Sequence, residues 1–146
     1  MSRMAKHQNC KKRQKPDWNT SLRSMCWRLG TSLLKTCNRK GSRFYDLYVN
    51  TLNNYVAEYT NKGIRIIAAV DMKKGGNGKK EEAANTITKG QVQNQALRKM
   101  IKIFLQCLWL VWREAEGLPV SEPYVKSHLG HQHILTPWDM TDADKK

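Results

Sequence analysis

The chain has 146 residues, 26 Lys plus Arg against 12 Asp plus Glu, and a formal net charge of +14. This length supports one modest core and excludes two independent ones, while 40% apolar content excludes a wholly disordered chain. So large a positive surplus opposes compaction unless a polyanion relieves it, so nucleic acid is the expected partner, ahead of an anionic membrane surface.

Residues 1–17 read as a flexible basic arm ending after Pro16; Arg3, Lys6, Lys11, Lys12, Arg13 and Lys15 precede any acid. A first helix should begin near Asp17 to Thr20, where Asp17, Asn19 and Thr20 can each cap. Leu22, Met25, Cys26, Leu29 and Leu33 recur at helical spacing and should form its buried face, with Arg23, Trp27, Arg28 and Lys35 off that face. Gly30 costs a helix interior roughly 1 kcal/mol, which suggests close packing by another element. Gly41 supplies a stop, and Ser42 can cap a second helix. Phe44, Leu47, Tyr48, Leu52, Tyr55, Val56 and Tyr59 give that helix an apolar face up to Lys62-Gly63. The short turn between the two predicts an antiparallel helical hairpin.

Residues 64–72, IRIIAAVDM, are β-branched enough for a strand, but no second strand is evident, so a helical or irregular continuation is expected. A Lys/Gly linker is assigned to 73–90; its KKGGNGKKEE segment lacks the Ser or Thr that a phosphate-binding loop needs after its Lys. A third, long helix is predicted over Gln91 to Glu116, apolar almost all round and therefore buried on several sides or placed at an interface. Its run from Met100 to Trp112 is thirteen residues with Lys102 and Gln106 inside, short of the roughly 20 that span a membrane. Residues 118–146 hold three of the four prolines and read as an extended tail packed partly across the helices. The expected fold is all-α: an antiparallel helical hairpin plus one long helix, between a basic arm (1–17) and a His-bearing tail (118–146).

The charge is unevenly placed, +15 over the first 117 residues and −1 over the tail. Cys10, Cys26, Cys37 and Cys107 match neither a zinc spacing nor CxxC. With no apolar leader segment visible, a reducing cytoplasm is expected. His128, His131 and His133 form the one metal-like spacing; Asp139, Asp142 or Asp144 could add a carboxylate. The competing reading is backbone or phosphate hydrogen bonding in a loop, and it is preferred, so no cofactor is expected. Glu114 and Glu116 diverge on a helix, while Asp17, Asp46, Glu58 and Asp71 are scattered; no hydrolase, metalloprotease or paired-carboxylate motif is present. Trp18, Trp27, Tyr45 and Tyr48 interleave with Arg23, Arg28, Arg39, Lys40 and Arg43, a combination suited to base stacking and cation–π contact as well as to hairpin packing.

Several segments resemble the C-terminal part of DEDD-type insertion-sequence transposases, the bridge-RNA-guided recombinases whose C-terminal half carries a helix-hairpin-helix. QKPDWNTSLRSMCWRLGTSLLK (14–35) resembles their segment after that motif. The region 42–59, with Tyr45-Asp-Leu-Tyr48, resembles the next helix. Ala96-Leu-Arg98, Lys102-Ile-Phe-Leu105, Leu108 and Val111 resemble the last long helix. Pro123-Tyr124 and His128-Leu-Gly-His131-Gln-His133-Ile134 resemble the closing loop. The similarity runs in order over about 8–135. It implies a role in DNA transposition with DNA, and a guide RNA, as partners, and no catalysis by this part alone. The family's acidic tetrad has no counterpart here, and its nucleophilic serine is not carried onto Ser2. The departure lies in the Lys/Gly linker, which the family has longer and more helical. Phosphate and base contacts are assigned to Lys11, Lys12, Arg13, Lys15, Trp18, Arg23, Arg28, Arg39, Lys40 and Arg43. The alternative is a helical interaction module that regulates a full-length transposase, self- or hetero-associating through 91–116. A metal-dependent enzyme built on the histidines is the third reading.

Overall fold

The computed structural model describes residues 18–36, 42–72, 85–121 and 134–142. Three helices carry the fold, α1 (Thr20–Thr36), α2 (Arg43–Asn61) and the long α3 (Lys89–Ala115). The class is the expected one, predominantly helical with one long helix. Asn19 Oδ1 accepts the Leu22 N–H at 3.0 Å and so caps α1. Gly63 and Gly117, both at positive φ, close α2 and α3.

The α3 helix is the element on which both others pack. Leu97, Met100 and Ile101 form the buried centre, with Cys26, Leu33 and Leu34 of α1 and Phe44 and Tyr48 of α2 against them. Phe44 meets Phe104 edge to face, centroids 5.5 Å apart, and the Tyr59 hydroxyl donates to Gln95 Oε1 at 2.8 Å. The α3 partner number falls as α2 advances, so α2 and α3 run antiparallel. The pairing of α1 with α2 expected from the short turn is the smallest of the three helix contacts.

Two expected features are corrected. The segment after α2 is mostly irregular, as expected, but within it β1 (Arg65–Ile67) pairs in parallel with β2 (Thr86–Thr88), in register Arg65 with Thr86 and Ile67 with Thr88. The linker assigned to 73–90 therefore contains a strand and the start of α3; its 73–84 part lies outside the described residues. Asn85, at φ 58, turns the chain into β2, a conformation Asn tolerates. Thr88 then serves twice, as the last strand residue and as the N-cap of α3. Its hydroxyl accepts the Gln91 N–H at 3.2 Å, while Gln91 Oε1 accepts the Thr88 N–H at 2.7 Å, a reciprocal capping box.

The buried faces also differ in detail. On α1, Leu22 and Met25 are exposed rather than buried, and the face toward α3 centres on Cys26, Gly30 and Leu33. Gly30 makes this contact possible: a Cβ there would overlap the Ile101 side chain and stand 3.0 Å from Leu97 Cδ1. On α3, Val92, Ala96, Leu97, Met100, Ile101 and Cys107 are buried, but Leu108, Val111 and Trp112 are exposed. The helix is therefore not enclosed on all sides; its C-terminal half carries an open apolar face.

The tail packs back on the helices. Met140 is buried in a 3-10 turn (Trp138–Met140), and the Gln106 side-chain amide donates to the Leu135 carbonyl at 3.4 Å. Thr136 and Asp139 bind reciprocally around the turn, the Thr136 N–H donating to Asp139 Oδ2 at 2.8 Å and the Asp139 N–H to Thr136 Oγ1 at 3.3 Å. Ser42 occupies the N-cap position of α2 but makes no side-chain cap. Asp142 replaces it: its Oδ1 accepts the Arg43 N–H at 2.8 Å from 99 residues away.

Candidate nucleic-acid interface

The N-terminal half of α1 and the α3 segment opposite it diverge enough to leave a groove of about 790 Å³. Arg23 and Arg28 line it from α1; Arg98 and Lys102 line it from α3. Cys26, Trp27, Ile101 and Leu105 supply its apolar lining, and among the described residues no carboxylate lines it. The placement follows from helical spacing. Arg23 and Trp27 are four apart, as are Ser24 and Arg28; Asn94, Arg98 and Lys102 repeat at four on one edge of α3. Each set flanks the apolar residues that hold the two helices together.

No carboxylate among the described residues forms an ion pair with the cations of the groove. Among the described residues the ion pair formed is Glu58 with Lys62, on the exposed C-terminal turn of α2. Four positive groups facing one concavity repel one another, and a bound polyanion removes that repulsion. Arg23 also lies over the Trp18 ring, 5.9 Å from its centroid, with Trp18 more than half exposed. This cation–π contact holds a guanidinium and an aromatic face together at the entrance to α1. A second such pair, Arg113 over Trp109 at 5.5 Å, has a structural task, since the same guanidinium donates twice to the Pro119 carbonyl.

The residues assigned to nucleic acid divide into three groups. Arg23 and Arg28 enter the groove together, with Trp18 beside Arg23. Arg43 is exposed at the first turn of α2, its backbone N–H committed to Asp142. Lys11, Lys12, Arg13, Lys15, Arg39 and Lys40 lie outside the described residues. Arg98 and Lys102 were not assigned from sequence, because on an amphipathic helix such residues read as solvated. Their spacing of four, adjacent to Leu97 and Ile101, was the available signal.

Other chemistries find little support among the described residues. His128, His131 and His133 lie outside them. No group of three or more His, Cys, Asp or Glu side chains there is placed to hold a metal. Asp46 and Glu58 stand twelve residues apart on α2, about 18 Å along the axis, so they cannot act together at one reacting bond. Cys26 and Cys107 are free thiols. Burial, and secondarily the charge of Asp139, pushes the Cys107 thiol above its ordinary value of 9.0, which keeps it protonated near neutral pH. No described helix is long and apolar enough to cross a membrane. No family model matches the sequence, and no curated protein or solved structure matches it significantly.

Proposed function

We propose that the chain is a nucleic-acid-binding module of a transposase of the kind its segments resemble, acting in DNA transposition without catalysing strand transfer by itself. The observation that carries this reading is the groove between α1 and α3, lined by Arg23, Arg28, Arg98 and Lys102 with no carboxylate among the described residues. The basic arm, with Lys11, Lys12, Arg13 and Lys15, extends the same charge along the chain. Phosphate contacts account for most of the binding, and DNA and a guide RNA are the proposed partners. The working compartment is the cytoplasm, in keeping with the free thiols of Cys26 and Cys107.

A salt titration tests the proposal. Each phosphate neutralised on a single strand adds about 0.7 to the log–log slope, so four groove contacts give about −3, and the arm steepens it further. An affinity that barely changes between low and moderate salt overturns the reading.

A second reading rests on the open apolar face of α3, where Leu108 and Trp112 are both more than half exposed. Such a face suits association with another protein, including a full-length transposase. A tight oligomer in solution that leaves polynucleotides unbound would favour it over the first.

A further inference from the structure

We infer that the α1–α3 groove takes a single polynucleotide strand, with a base laid against Trp27 and neighbouring phosphates on Arg23, Arg28, Arg98 and Lys102. The inference rests on the nucleic-acid reading above and specifies the form of nucleic acid that this site accepts.

Three observations lead to it. The first is shape. A duplex is a convex rod with its phosphates outermost, and proteins read it with elements that protrude into its grooves. Here the cations stand on the walls of a concavity. Its volume of about 790 Å³ falls within the roughly 300–1,000 Å³ of clefts that enclose small molecules. Bases and sugars fit inside it; a rod rests on its rim.

The second is the chemistry of the interior. Besides the four cations and Trp27, the lining combines apolar Cys26, Ile101 and Leu105 with the small polar side chains Thr20, Ser24 and Asn94. A duplex offers such a surface nothing, because its base faces are stacked on one another. An unpaired strand exposes exactly those faces, and burying them there removes apolar area from water. A groove lined by both cations and apolar side chains thus matches a strand whose phosphates lie outward and whose bases turn in.

The third is Trp27. Its indole lines the groove and is 39% exposed, so it is neither consumed by the core nor pointing away from the site. An aromatic face between arginines is the arrangement on which single strands stack, and it tolerates any base. Trp27 is thus a binding platform, and the arginines beside it set the path of the backbone.

The experiment uses the full chain and four labelled probes of equal length: an oligothymidylate, an oligouridylate, a mixed-sequence duplex, and an abasic deoxyribose-phosphate strand. Fluorescence anisotropy at one fixed salt concentration reads affinity. The oligothymidylate or the oligouridylate, or both, should bind about fivefold or more tighter than the abasic strand, the effect of at least one stacked base, and tighter than the duplex. The preferred of the two assigns the groove to DNA or to RNA. Trp27→Ala should lower that strand to the abasic level, while Trp27→Phe keeps most of its advantage. Equal binding of abasic and base-bearing strands by the unsubstituted protein overturns the inference, and so does a duplex that binds as tightly as either; neither result depends on a variant folding. Those outcomes leave the nucleic-acid reading standing, whereas no binding to any probe removes both.

Discussion

Gly30 presents a hydrogen where any other residue would place a carbon inside the Ile101 side chain. The contact sets how close α1 lies to α3, and so where the groove beyond it opens. Two effects oppose each other in Gly30→Ala. Helix propensity favours alanine by about 1 kcal/mol. Overpacking typically costs about 1–3 kcal/mol, and the overlap here involves Ile101, itself held in the core beside Leu97 and Met100. Overpacking should win, with a net loss of up to about 2 kcal/mol in chemical denaturation. A variant at least as stable as the parent would contradict the close approach. The sequence marked Gly30 as a place of close packing, because a glycine in the middle of a helix needs a reason. It did not mark Leu22 and Met25 as exposed. Periodicity shows which residues share a face, but not how far along a helix the partner extends, and the face toward α3 is rotated onto Cys26, Gly30 and Leu33.

At the scale of elements, local signals were legible and distant ones were not. The start of α1 and the ends of α2 and α3 were readable from Asn19, Gly63 and Gly117, because caps and left-handed turns are decided within a few residues. The parallel ladder was missed because its second strand is only Thr86-Ile-Thr88, too short for periodicity to register and directly joined to a helix. The capping of α2 by Asp142 was equally hidden, since 99 residues separate the carboxylate from the N–H it accepts. That contact places a negative charge at the positive end of α2 and ties the tail to the helices. Asp142→Ala should therefore lower stability by about 1 kcal/mol in a thermal or denaturant melt, the usual effect of losing a helix cap. An unchanged melt would show that the tail is not held by this bond. The exposed face in the C-terminal half of α3 was half legible: the sequence showed a helix too apolar for one buried face, and the fold buries Cys107 there but leaves Leu108, Val111 and Trp112 exposed.

For the whole molecule, four of the 26 basic residues gain a common location. Arg98 and Lys102 of α3 line the same groove as Arg23 and Arg28 of α1. Two of those four residues were legible as basic neighbours of tryptophans. The other two were not, because which solvated edge of a long helix faces a second helix depends on packing angle rather than on composition. The central claim is that this groove neutralises phosphates. It is tested most directly by the salt dependence of single-strand binding for the parent and for Arg98→Ala/Lys102→Ala, with circular dichroism to confirm the fold. Both substituted side chains line the groove, and each phosphate contact removed should flatten the log–log slope by about 0.7. The account predicts a slope shallower by about 1.4 for the double variant, together with weaker binding at low salt. A folded double variant with the parent's slope and affinity would contradict it, placing the phosphate contacts elsewhere on the chain.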